Sequence, residues 1–147
     1  MRINTYTDYA LRILIHAAAK SPALVTNQEV ANAFRISKNH LMKVTNELSK
    51  AGFLATVRGR SGGFTLARPA SEIRVGEVVR FAEKGSVLVE CFDPGHNRCI
   101  ITPACNLKFY LLDAVEAFYG VLDRRTVADL FEHPEAVLHH LGAANIQ

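Results

Sequence analysis

The 147-residue sequence has no apolar run approaching the ~20 residues that a membrane span requires. It also has no internal repeat and no low-complexity tract. Its first residues, Met1-Arg2-Ile3-Asn4-Thr5-Tyr6-Thr7-Asp8, turn polar at once and lack the apolar stretch and cleavage site of a secretory signal, so a cytoplasmic protein is expected. Cysteine is scarce: three residues, an odd number in a chain expected to meet a reducing compartment, which argues against a disulfide framework. No two cysteines have the short Cys-x2–4-Cys spacing of a zinc knuckle. No recognisable motif ties a His or Asp to any of them as nucleophilic catalysis would need, so an enzyme is not expected. The 49% hydrophobic and 21% charged shares exclude a disordered tail or a fibre, and the length is enough for one domain with a core of its own.

What charge there is divides unevenly. Residues 1–84 hold 13 Lys/Arg and 6 Asp/Glu, a net +7, whereas residues 85–147 hold 4 and 8, a net −4. The first part suits an anionic partner. Nucleic acid leads, because clustered Lys/Arg neutralise phosphates and release counterions; a solvated basic face is the alternative.

Apolar periodicity predicts a mainly α fold with one small β-hairpin. Tyr6, Ala10, Ile13, Leu14 and Ala17 share a face over 5–19, and Ser21-Pro22 breaks the pattern. Thr26-Asn27 with Glu29 in the next turn starts a helix over 27–34, and a short turn then leads into a second over 38–51 with Leu41, Val44 and Leu48 inward and Gly52 as its stop. This is a helix-turn-helix, whose second helix would offer Lys38, Asn39, His40 and Lys43 to a major groove. Two β-type runs, 53–57 and 64–67, flank Arg58-Gly59-Arg60-Ser61-Gly62-Gly63 where a winged helix carries its wing. Arg58, Arg60 and Ser61 would stand at the wing tip, where arginine can enter a minor groove.

A helix is expected over about 75–84, and a loop over 85–105 with Pro94-Gly95 and Pro103. From 106 to 122 Leu107, Leu111, Ala114, Phe118 and Val121 recur about 3.5 residues apart, and Tyr110, Val115, Ala117 and Leu122 widen the stripe. So wide a stripe suits packing on both its own domain and a second chain, with a lone buried helix as the alternative. A short capped helix is expected from Thr126, then a loosely held tail. The expected organisation is therefore 1–84 for DNA binding, 85–105 as a cysteine loop, 106–132 for dimerisation and 133–147 as a flexible tail.

Cys91, Cys99 and Cys105 all lie in that loop. Three soft thiolates suit zinc or an iron–sulfur cluster rather than magnesium or calcium; unligated thiols remain open too. A cluster tolerates the wide spacing better, but a fourth ligand is missing from the loop, where His96 is the local substitute.

Tyr6-Thr7-Asp8-Tyr9-Ala10-Leu11-Arg12, the helix Ser37–Val44, the wing Gly59-Arg60-Ser61-Gly62-Gly63 and Ile101-Thr102-Pro103-Ala104-Cys105 resemble the winged-helix iron–sulfur repressor family that includes IscR, RirA and NsrR. The resemblance runs from about residue 2 to 131 and is greatest to the nitric-oxide-sensing NsrR group. It implies a winged helix-turn-helix homodimer on a pseudo-palindromic operator, with the long helix crossing its twin. It also implies a cluster near the interface, [4Fe–4S] favoured and [2Fe–2S] possible. By position, Cys91, Cys99 and Cys105 would be ligands, with Asp8 of the partner subunit as the fourth. Thr5-x-x-Asp8 reads equally well as a helix-capping box. IscR has a histidine three residues beyond its last cysteine, where this chain has Lys108, so an IscR-type site is disfavoured. The seven residues between Cys91 and Cys99 are more than in many NsrR proteins and similar to the iron-responsive RirA group. Nitric oxide is thus the expected signal, iron or cluster availability the alternative, and a thiol-redox or electron-transfer protein a more remote one.

Overall fold

In the computed structural model, which describes residues 2–131 and 133–143, six α-helices and one hairpin build the chain. Helix α1 runs Thr5–Lys20, α2 Asn27–Phe34 and α3 Lys38–Lys50; strands β1 Leu54–Val57 and β2 Gly63–Leu66 follow, then α4 Val75–Ala82, α5 Asn106–Asp123 and α6 Pro134–Ala143.

The predicted periodicities become one core. Ala10, Ile13, Leu14 and Ala17 of α1 meet Val30 of α2, Leu41, Val44 and Leu48 of α3, Phe53 and Leu54 at the hairpin's start, Phe64 of β2 and Val78 of α4. The helix starts have specific causes. Thr26 and Glu29 form a reciprocal capping box on α2, the Thr26 hydroxyl accepting from the Glu29 N–H and the Glu29 carboxylate accepting from the Thr26 N–H. The cap of α1 is Asn4, whose side chain accepts from the Thr7 N–H at 2.7 Å, so the expected Thr5–Asp8 box does not form.

β1 and β2 pair antiparallel from Leu54–Leu66 to Val57–Gly63, and Val25 adds an isolated antiparallel bridge to β2 through two hydrogen bonds with Phe64. The turn depends on glycine: a Cβ on Gly62 would stand 2.3 Å from the Val57 carbonyl oxygen, and one on Gly63 2.5 Å from that of Val25.

Two expectations are corrected downstream. The helix expected from Thr126 is only a 3-10 turn, Ala128–Leu130, because the Asp129 carboxylate closes a local turn by accepting from both the N–H and the hydroxyl of Thr126. Of the expected tail, residues 134–143 form α6, which lays Leu141 and Val137 on α1 and α2; residues 144–147 lie outside the described residues. The cysteine loop is tighter than expected, containing 3-10 turns at Glu90–Phe92 and Thr102–Ala104.

Candidate nucleic-acid interface and cysteine segment

α2 and α3 join through Arg35, in the left-handed region at φ 55, which turns the chain sharply enough for α3 to present its N-terminal half outward. Lys38, Asn39, His40 and Lys43 are all exposed there, and Ser37 makes no side-chain cap, leaving the first amides of α3 open to a phosphate. Arg58, Arg60 and Ser61 are exposed on the wing. Between helix and wing lies an open crease of about 400 Å³, lined by Lys38, Met42 and Thr45 on one side and Val57 and Arg58 on the other, with Asn27 and Gln28 at its end.

Electrostatic pairing separates these cations from five others of the chain. Arg12, Lys20, Lys50, Arg68 and Arg80 each meet a carboxylate. Among the described residues Lys38, Lys43, Arg58 and Arg60 are in no ion pair, so their charge faces water. Sequence reasoning missed Met42 and Val57, which are 50% and 53% exposed at the crease and give it an apolar contribution. An apolar residue on the outward side of the second helix was the signal available, since a thymine methyl accepts such contact.

The three cysteines are free and half-buried. Cys91 lies in the first 3-10 turn, Cys99 opens the turn closed by Thr102, and Cys105 precedes α5. Cys99 and Cys105 have local anchors: the Cys99 N–H donates to Asn97 Oδ1 at 3.0 Å and the Cys105 N–H to the Thr102 carbonyl. The donor types fit a soft metal or cluster, but among the described residues no three His, Cys, Asp or Glu come together as an ion-holding group. His96 turns to Asp93 at 2.7 Å and is exposed. Asp8 is held by Arg12, through Nε at 3.0 Å and a terminal nitrogen at 2.9 Å, and Arg12 lies over the Phe34 ring of α2.

The root of the cysteine segment is tied to α1. The Glu83 carboxylate, at the end of α4, accepts from the Asn4 N–H at 2.9 Å and from the Thr7 hydroxyl, and the Glu83 carbonyl accepts from the Ser86 N–H. Gly85, at φ +88, then turns the chain into the segment.

The sequence model of the Rrf2 family, described as an iron-dependent transcriptional regulator, matches residues 3–133. The chain belongs to the Rrf2 family. It is 44% identical over 147 residues to the HTH-type transcriptional regulator NsrR of Oceanobacillus iheyensis, covering 99% of this chain and 100% of that one. It is 47% identical over 133 residues to the NsrR of Geobacillus kaustophilus, 90% of each chain. Among solved structures, oxidised Staphylococcus aureus CymR superposes with a TM-score of 0.71 at 28% identity, over 90% of this chain and 98% of that one. T. potens IscR gives 0.72 at 24% identity, over 90% and 87%, a likeness of fold. This Rrf2 protein is thus a transcriptional regulator, not an enzyme, with the winged-helix fold read from its sequence.

Proposed function

We propose that this regulator is a homodimeric, DNA-binding repressor whose cysteine segment holds an iron–sulfur cluster that senses nitric oxide. The observation that carries the reading is the joining of two features in one fold: unpaired cations on helix α3 and the wing, and three free, half-buried thiols on the segment linking α4 to α5. The similarity to NsrR-named regulators over nearly the whole chain supports the choice of signal.

Lys38, Asn39, His40 and Lys43 enter a major groove, while Arg58, Arg60 and Ser61 follow the adjacent backbone and minor groove. Cys91, Cys99 and Cys105 are the protein ligands, [4Fe–4S] being favoured over [2Fe–2S], with Asp8 of the partner subunit as the fourth. A bound cluster would supply nitric-oxide-reactive iron. For the chain's own part, the segment must rearrange to gather its thiols, and Asp8 must leave Arg12 to serve as a ligand. Both changes bear on α1: the first through Glu83, the second through Arg12, whose guanidinium rests on Phe34 of the helix-turn-helix.

The second chain is supported by α5, which buries no residue of its own although Leu107, Phe109 and Tyr110 are 60%, 60% and 67% exposed on it. An iron-responsive regulator is the second reading, favoured by the family's iron-dependent description and by the wide gap from Cys91 to Cys99.

Cys99→Ala tests the ligand assignment. Purified without oxygen, the variant should lose the visible cluster absorption and keep its far-ultraviolet circular dichroism; retention of the full absorption would remove Cys99 from the site. A chelator that releases operator DNA where nitric oxide does not would favour the iron-responsive reading.

A further inference from the structure

Helix α4 is held on both sides. Toward the wing, Arg68 lies over the Phe53 ring and pairs with Glu77 at 2.6 Å while donating to the Glu72 carbonyl. Toward α5, Arg80 meets Asp123 in a two-pronged fork, 2.6 and 2.7 Å, with its guanidinium 4.4 Å from the Tyr119 ring centre. Arg74 donates to the Asp123 carbonyl at 2.7 Å. The approach is closed by Gly76, on which a Cβ would stand 2.0 Å from Asp123 Oδ1. Beyond Asp123 the chain is stitched back to the residues before α4: the Val75 N–H donates to Arg125 O, and the Val127 N–H to Ile73 O, with Val127 fully buried.

Exposed ion pairs alone add little to stability, and a fork this well formed serves geometry better than energy. α5 touches its own DNA-binding body chiefly along α4. The end of α5 is therefore fixed in direction by the Arg80 fork and its contact with Tyr119, by the bond from Arg74 just before α4, and by the close approach at Gly76, and α4 is itself fixed toward the wing through Arg68.

We infer that Gly76, Arg74, Arg80 and Asp123 are positioning residues that set the angle between the DNA-reading body and α5, and so fix the half-site separation that a dimer accepts. The inference rests on the paired-site reading above. In a dimer joined through α5, a change in that angle moves the two α3 helices relative to each other. One base pair more or less shifts a half-site by about 3.4 Å and turns it by about 35°, so a stiff joint rejects it and a loose one tolerates it.

The test uses the full chain and a pool of DNA duplexes randomised over about three helical turns, ~30 base pairs. Sites are selected in parallel by the unsubstituted protein, by Asp123→Asn, which breaks the fork, and by Gly76→Ala, which expels the carboxylate without changing charge. The unsubstituted protein should enrich paired half-sites at one separation and discriminate against a one-base-pair insertion by about tenfold or more. Both variants should enrich several separations and discriminate by less than about threefold, a readout that simple loss of stability does not produce. If either variant melts below the assay temperature, Arg80→Lys, which keeps the charge and loses the fork, takes its place with the same expectation. One sharp separation retained by folded variants would overturn the inference alone. Single half-sites enriched by the unsubstituted protein would overturn the paired-site reading and the inference with it.

Discussion

His16 shows how much a single residue can carry without announcing itself. Its ring is 3% exposed, meets the edge of Phe34, and among the described residues has no hydrogen-bond partner on either nitrogen. Burial pushes its pKa below the ordinary 6.5, nearby Lys20 pushes the same way, and Glu29 opposes them. The folded chain therefore keeps His16 neutral while the unfolded chain takes up a proton below pH 6.5, so stability should fall as pH drops through that value. His16→Leu should flatten the fall in Tm between about pH 7 and 5, and raise stability by ~1–3 kcal/mol by removing unsatisfied buried polar atoms. An unchanged pH slope would show that other groups govern acid sensitivity. In the sequence His16 is one member of a helical stretch, because orphaned nitrogens are a property of packing. The outward placement of the proposed DNA-contacting residues was legible by contrast: Lys38, Asn39, His40 and Lys43 oppose an apolar stripe, the wing arginines flank glycines, and all are exposed. Arg60→Ala should weaken operator binding several-fold at physiological salt and leave the cluster content intact; unchanged affinity would take the wing tip out of the interface.

At the scale of elements, legibility followed the stop and start signals. Thr26 and Glu29 mark the beginning of α2 in the sequence and form its capping box in the structure. Thr26→Ala should destabilise the chain by about 1 kcal/mol, measured by denaturant unfolding, while a loss below a few tenths would show the box to be idle. Asn4 was not legible as the cap of α1, since Thr5 and Asp8 offer an equally good local pattern. A long-range bond from the Asn4 N–H to Glu83, 79 positions away, accompanies the choice. α6 escaped for a related reason: its few apolar residues gain burial against α1 and α2, which no local window contains. Conversely, the turn at 126–130 has apolar residues at plausible helical spacing, but Asp129 satisfies Thr126 locally and the helix does not propagate.

For the molecule as a whole, the separation of basic and acidic parts in the sequence corresponds to a compact helix-turn-helix body with its wing, followed by the cysteine segment and α5. The width of the α5 stripe was legible, and the exposure of Leu107, Phe109 and Tyr110 is what such a stripe gives in a single chain. The proposed gathering of the thiols has no counterpart among the described residues: Cys91, Cys99 and Cys105 sit on separate turns, no three possible ligands come together, and Asp8 is engaged by Arg12. Metal-ligand bonds have to supply the energy that brings such donors together. In the proposed mechanism DNA affinity depends on what the cysteine segment holds, with Glu83 and Arg12 leading to α1 and α2.

The most direct test is to purify the full chain without oxygen, titrate it with nitric oxide, and record the visible spectrum and binding to a selected operator duplex in the same samples. A cluster band that bleaches in step with release of the DNA is expected. A cluster-loaded protein whose DNA complex is indifferent to nitric oxide, or a colourless protein that still binds DNA, would contradict it.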